Sequence, residues 1–306
     1  MKDAGSKLKQ PFLHGLALKD APDNRQDNIA HIRSWLDCQP HLPEITDDHL
    51  HLFLHSCYDN LERTKTTLEN YFSFKSLTPE LFSNRDPLSE ELQHNLDIWE
   101  MAMLPRRTPE GYIVSVTRFV DLNPSKFVFL HNMKNFFMFA DTWLSEDGLA
   151  PGIVTVFDAQ GVSFGHLARI SPLGLIKKLL FYVQDCMPIR LKAVYIINTV
   201  PVVDKIMALV KPFLKSELAS LIHIHTSVDT LGEGLPLEIL PEEYGGKAGS
   251  LTALYKEQRR AVETEYADWL IQSEDLRSDE SKRVGESKVK DTLFGAEGSF
   301  RKLDID

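Results

Sequence analysis

The chain has 306 residues, of which 43% are hydrophobic and 25% charged, with a formal net charge of −10 at pH 7. That length can bury a sizeable core, and that balance excludes disordered and fibrous classes. The acidic excess argues against a nucleic-acid binder and makes any contact with an acidic membrane depend on a local basic patch. Cys38, Cys57 and Cys186 are scattered, which fits neither a disulfide framework nor a zinc signature, so they read as free thiols in a reducing compartment. Residues 1–16 lack the apolar core of a secretory signal, and no stretch approaches the ~18 continuous apolar residues of a membrane span. The expectation is a soluble, cytoplasmic protein.

Residues 20–104 read as a helical domain. Ile29, Ile32 and Leu36 share a helical spacing that stops before Pro40, and Thr46-Asp47-Asp48 forms a cap ahead of Leu50, Phe53 and Leu54. Leu61, Leu68, Tyr71 and Phe72 continue the pattern, and a further helix is predicted from about Glu90 to Met101. Residues 105–250 alternate between two textures. Short β-rich runs fall at Tyr112 to Phe119, Ile153 to Phe157, Ala193 to Ile197 and Leu221 to His225. Helical patterns separate them at Pro124–Ser145, Pro172–Cys186 and Val202–Leu214, so the class is α/β with a mainly parallel sheet. Residues 251–306 hold one helix, Leu251 to Ser273, then a polar stretch. The tail carries Leu293, Phe294, Phe300 and Leu303 as anchors that pack on the domain.

The chemistry such a fold could host is absent from the motifs. There is no Walker loop, no GxSxG elbow and no GxGxxG cradle, so no catalytic residue, cofactor site or metal site is assigned. His223 and His225 share a strand face but lack a third ligand, and read as a structural pair. His14, His31, His41, His49, His51 and His55 form no HExxH arrangement and are assigned to solvated helix faces. Asp158-Ala159-Gln160-Gly161 reads as the tight turn that ends a strand.

Apolar surface, by contrast, is over-supplied. Phe127, Phe129, Met133, Phe136, Phe137 and Phe139 spread around one helix, which must be covered on most sides or face a cavity. Val202–Leu214 is amphipathic, bears lysines and meets Pro212, which removes a backbone donor and interrupts the helix. Such a segment suits a gate that opens toward a membrane as well as it suits a helix covering a sheet. Periodicity does not separate the two.

An ordered set of segments resembles the CRAL-TRIO (Sec14-like) lipid-binding family. The similarity is to the branch of the α-tocopherol transfer and cellular retinaldehyde-binding proteins, above all its insect members. The segments are Phe157-Asp158-Ala159-Gln160-Gly161 with Phe164 and His166, and Pro188-Ile189-Arg190-Leu191-Lys192 leading to Tyr195-Ile196-Ile197-Asn198. They continue with Lys211-Pro212-Phe213-Leu214, Ile222-His223-Ile224-His225 and Leu240-Pro241-Glu242-Glu243-Tyr244-Gly245-Gly246. Leu293-Phe294-Gly295 and Gly298-Ser299-Phe300-Arg301-Lys302-Leu303 complete the set.

The resemblance implies an N-terminal helical CRAL-TRIO-N domain and a C-terminal α/β domain enclosing an apolar lipid cavity. It implies a cavity lined by Leu122, Phe129, Met133, Phe136, Phe137 and Ala140 from one part of the chain. Phe157, Ile170, Leu179, Tyr182, Val183, Met187, Ile189 and Val194 would line it from another. Val202, Val203, Ile206, Met207, Val210, Phe213 and Leu214 would form a mobile gate. Arg190 and Lys192 match the family's patch for phosphatidylinositol bisphosphate, whereas Glu217, Leu221 and Cys57 stand where its other positive charges would be; Lys205, Lys211 and Lys215 of the gate segment are expected near anionic headgroups. Where the tocopherol carriers present small hydroxyl residues, this chain has Phe136 and Ala140. The expected function is a non-enzymatic, monomeric carrier of one isoprenoid-type lipid (tocopherol, retinoid or carotenoid) with transient membrane contact. A lipid-sensing module that recruits a protein partner is the alternative.

Overall fold

A computed structural model describes residue 11 and residues 24–170, 173–232 and 235–298. Asp20, His14, the expected helix start at Pro172, and Ser299, Phe300, Arg301, Lys302 and Leu303 lie outside the described residues. The chain opens with α1 (Arg25–Leu36), α2 (Asp47–Ser56), α3 (Leu61–Leu77), α4 (Pro79–Phe82) and α5 (Glu90–Leu96). Then come β1 (Trp99–Met103), β2 (Ile113–Phe119), α6 (Phe129–Asp147), β3 (Ile153–Asp158), α7 (Phe164–Ile170) and α8 (Leu173–Phe181). They are followed by β4 (Leu191–Ile197), α9 (Val202–Val210), α10 (Ser216–Ala219) and β5 (Ile222–Ile224). The last elements are α11 (Leu251–Thr264), α12 (Ala267–Gln272) and α13 (Lys288–Gly298). These residues group into two compact units. One holds the residues up to Ser83, Lys177–Pro188 and those from Gln272 onward; the other holds Asn84–Ile176 and Ile189–Ile271.

In the first unit, the apolar positions spaced along α1, α2 and α3 meet in one core. Ile29, Ile32, Leu50, Phe53, Leu54, Leu68 and Phe72 are buried there, with Leu36, Leu61 and Tyr71 packed against them. α3 begins at Asn60, whose side chain accepts from Arg63 N at 2.9 Å and so satisfies one of the donors a helix start leaves open. The histidines of α2 depart from expectation. His49 and His51 are buried on this helix, and so is His41 before it. Six of the ten α2 residues besides His49 are also buried, so this helix has almost no solvated face to offer. Each of two imidazoles finds a polar partner instead: His41 Nε2 lies 2.9 Å from Glu69 Oε2, and His49 Nδ1 lies 2.9 Å from Thr46 Oγ1. The C-terminal segment docks on the same unit, with Val289 and Leu293 buried and Lys177 Nζ donating to Leu293 O at 3.1 Å.

The second unit is built on a five-stranded sheet in the order β1-β2-β3-β4-β5. β2 to β5 pair in parallel, and β1 pairs antiparallel with β2 at the edge. The helix expected to run to Met101 stops at Leu96, and Trp99–Met103 is a strand. Glu, Met and Ala favour helix locally, but here pairing with β2 decides. Gln258 on α11 closes the strand's end, accepting from Met103 N at 2.9 Å and donating to Met103 O at 2.8 Å. The helix expected over residues 251–273 is interrupted after Thr264, where Tyr266 turns inward and donates its hydroxyl to Glu146 at 2.9 Å.

Candidate functional site

The register aligns Ser115, Thr155, Val194 and Ile222 across the sheet, and two residues along it aligns Thr117, Phe157, Ile196 and Ile224. Strand alternation puts all of these on one face and Val154, Val156, Ala193, Tyr195 and Ile197 on the other. The two faces are covered to different degrees. Each of the five residues on the second face is buried, Val156 and Ile197 completely. On the first face Phe157, Val194, Ile196 and Ile222 stay only half-buried, and Ile224 is 47% exposed. β3 and β4 are interior strands, so their exposure is no edge effect. Apolar side chains with neighbours on both sides lack a full covering layer.

α9 covers the carboxyl end of this face. Val202 and Val203 are buried with Ala159 and Val162, and Phe119, Phe157, Leu167, Ile196, Ile206 and Met207 pack against that cluster. The helix passes into a 3-10 turn at Lys211–Phe213, where Pro212 removes the next donor, and Leu214 is extended. Asp204, Lys205, Lys211 and Lys215 are on the exposed side. β4 and β5 are parallel, so the chain must return along the sheet after β4. Leu221 O accepts from Val194 N at 2.8 Å, which brings the start of β5 beside the start of β4, into which Arg190 and Lys192 lead. Lys192 Nζ lies over the Tyr112 ring at 5.5 Å.

An aromatic wall adjoins the same face. Phe119 packs on Trp99 at 4.7 Å, on His166 at 4.9 Å and on Phe127 at 5.2 Å between ring centroids. Trp99 also meets Phe157 at 5.5 Å. Of the residues the resemblance implies for the cavity, Met133, Phe137 and Ala140 are buried, and Phe129, Phe136, Phe157, Ile170, Ile189 and Val194 are half-buried. Leu122 is exposed, its side chain occupying the space a Cβ on Gly161 would need. Leu179, Tyr182, Val183 and Met187 belong to the first unit, where Tyr182 packs on Phe74 and Phe82. Trp99, Phe119 and Ile196 were not singled out from the sequence as site residues. For Ile196 the strand alternation with Val194 was the available signal.

The histidine pair on β5 is structural in character. His223 and His225 both lie against the Tyr195 ring, and His225 Nδ1 is 2.9 Å from Thr230 Oγ1. Among the described residues no cluster of three potential ligands could hold a metal, and no helix is long and apolar enough to cross a membrane.

A helical segment followed by a mostly parallel sheet with one half-covered apolar face places the chain in the Sec14-like class of folds. A model of the CRAL/TRIO domain matches residues 100–246, and one described as Pinta-like, UBA domain matches residues 21–92. The chain belongs to the CRAL-TRIO family, whose members bind and transfer lipids rather than act as enzymes. It is 32% identical over 238 residues to the human protein named alpha-tocopherol transfer protein-like, an alignment covering 76% of this chain and 69% of that one. It is 22% identical over 235 residues to clavesin-1 of Xenopus laevis, covering 76% of this chain and 70% of the relative. The crystal structure of Sfh5 superposes with a TM-score of 0.51 at 17% identity, covering 85% of this chain and 99% of that one, a likeness of fold.

Proposed function

We propose that the chain is a cytoplasmic, monomeric carrier that holds one isoprenoid-type lipid (a tocopherol, retinoid or carotenoid) against the half-covered face of β3, β4 and β5. The observation that carries this reading is the incomplete burial of Phe157, Val194 and Ile196 on interior strands whose opposite face is buried. A lipid laid there removes apolar area from water on both partners, at about 25 cal/mol per Å². So large a gain makes release into water slow, and unloading needs a route that keeps the lipid out of water.

α9 supplies that route in this proposal. Its Val202, Val203, Ile206 and Met207 pack toward the site and its lysines point out. Beside it α7 presents Phe164, 66% exposed, and Leu122 and Val120 are exposed in the loop after β2. An apolar tip next to lysines is suited to an anionic membrane surface. Arg190, Lys192, Lys205, Lys211 and Lys215 are the groups we assign to headgroup contact, phosphoinositides included. Organic extraction of the purified protein followed by mass spectrometry tests the carrier reading. One co-purifying isoprenoid near one equivalent is expected, and a protein that neither retains nor takes up any apolar molecule would overturn it.

A further inference from the structure

Two buried N–H groups belong to the rings that pack on either side of Phe119. Trp99 is 7% exposed and His166 is 2% exposed. Among the described residues, Trp99 Nε1 and His166 Nε2 have no hydrogen-bond partner. The tautomer of His166 follows from its other nitrogen. Ser163 N donates to His166 Nδ1 at 3.2 Å, and the Ser163 hydroxyl is 3.0 Å from the same atom. A ring nitrogen that accepts carries no proton, so the proton of the neutral imidazole is on Nε2. Burial lowers the pKa of His166 and keeps the ring neutral at physiological pH.

A buried donor left unpaired forfeits its hydration with nothing in return, which makes two in one wall a standing demand for an acceptor. Trp269, whose indole N–H is also unpaired, packs on Tyr266 instead. The Phe119 pair adjoins the face that Phe157 and Ile196 leave half-covered, Trp99 through its contact with Phe157. Resting on the carrier reading, we propose that Trp99 Nε1 and His166 Nε2 receive the polar end of the ligand. The preferred cargo is then a neutral lipid ending in an oxygen acceptor: an alcohol, phenol, aldehyde or ketone. A hydrocarbon leaves both donors unpaired, and two neutral donors offer no positive charge to a phosphate.

The test uses the full chain and two pairs of probes that differ by one oxygen: retinol against its deoxy hydrocarbon, and octadecenol against octadecene. Each is partitioned between protein and phosphatidylcholine vesicles, and the alcohol-to-hydrocarbon ratio of each variant is divided by that of the wild type, which cancels the vesicle term. One neutral hydrogen bond of about 1 kcal/mol corresponds to roughly a five-fold preference. Trp99→Phe and His166→Phe are expected to lower the preference about five-fold while changing hydrocarbon binding less than two-fold, and His166→Gln, which keeps a donor, to retain part of it. Loss of preference in either Phe variant supports the assignment, so it remains testable if one variant does not fold. Unchanged preference in both, with hydrocarbon still bound, overturns it and leaves the carrier reading standing. Wild-type protein that takes up none of the four probes overturns both.

Discussion

Asn198 Nδ2 donates to Asp158 Oδ1 at 3.1 Å, joining the ends of β3 and β4 where the chain turns toward α9. The same buried carboxylate accepts from the Tyr244 hydroxyl at 3.0 Å and from Gln160 N at 2.9 Å. Asn198 holds a left-handed backbone, at φ 51°, which Asn tolerates better than most residues. Two segments far away in sequence, those of Asn198 and Tyr244, therefore converge on the segment of Asp158, and all three are among those that carry the family resemblance. The motif around Asp158 is a structural knot at the root of α9.

Loosening that knot is expected to cost stability in a graded way. Tyr244→Phe removes one hydrogen bond and should lower the unfolding free energy by about 1 kcal/mol. Asn198→Gly loses its bond but keeps access to the left-handed region. Asn198→Ala loses the bond and adds backbone strain, so it should be worse than Gly by about another 1 kcal/mol. Urea unfolding midpoints check the order; equal effects of Gly and Ala would contradict the backbone argument.

The strands β2 to β4 and the helices α1 to α3 were legible because their residues repeat at the periods those elements impose. Ile153 to Phe157 is nearly all β-branched or aromatic, and Ile29, Ile32 and Leu36 fall on one helix face. β1 was not legible, since Trp99-Glu100-Met101-Ala102-Met103 has no β-branched residue and its strand form comes from pairing with β2. Nor could sequence distinguish the open face from the closed one. Val156 and Phe157 look equally greasy, and only the layer above each decides which stays half-covered. The unpaired donors of Trp99 and His166 were hidden for the same reason, because an orphan is defined by what surrounds it.

Gly246 explains one matching segment in steric terms. A Cβ there would lie 1.9 Å from Leu240 O and 2.6 Å from Leu237 O, and backbone cannot swing aside as a side chain does. Gly246→Ala is expected to destabilise by more than about 2 kcal/mol, well above the usual surface substitution. Gly249→Ala, with none of the described residues within 4 Å of the added Cβ but φ at +90°, isolates the cost of backbone strain. Thermal unfolding of the two variants side by side measures the difference.

His49 makes stability depend on pH. Burial, with Lys75 and Arg33 adding to it, lowers its pKa to about 4 from the ordinary imidazole value of about 6.5. A base whose folded pKa lies below its unfolded one binds its proton more readily when unfolded, so stability falls as pH drops below about 6.5 and continues falling toward 4. Between pH 7 and pH 5 this one group should remove about 2 kcal/mol. His51 shifts in the same direction, again chiefly through burial. Urea titrations at both pH values should show His49→Leu losing less stability on acidification than wild type. An identical slope would mean the imidazole is solvated.

If α9 opens at membranes, its exposed lysines should set the rate of transfer but not the affinity in solution. Lys205→Glu, Lys211→Glu and Lys215→Glu together should slow transfer to vesicles containing acidic lipid by several-fold, with the effect shrinking in high salt as screening removes it. Transfer to neutral vesicles should change little. Unaltered transfer to acidic vesicles would remove the lysines from the release step.

The sharpest test of the half-covered face compares two adjacent residues of β4. Val194 points to the open face and Ala193 to the closed one, where it is 6% exposed. Forcing a large side chain into a filled layer costs about 1–3 kcal/mol or more, because neighbours must leave their rotamers. Ala193→Phe should therefore destabilise the protein by at least that amount. Val194→Phe grows into space a ligand would use, so it should leave stability within about 1 kcal/mol of wild type while abolishing uptake of an apolar probe. Unfolding free energies and probe binding, measured on both variants, separate the outcomes. If Val194→Phe proves as damaging as Ala193→Phe, the chain fills that space itself and there is no room for cargo.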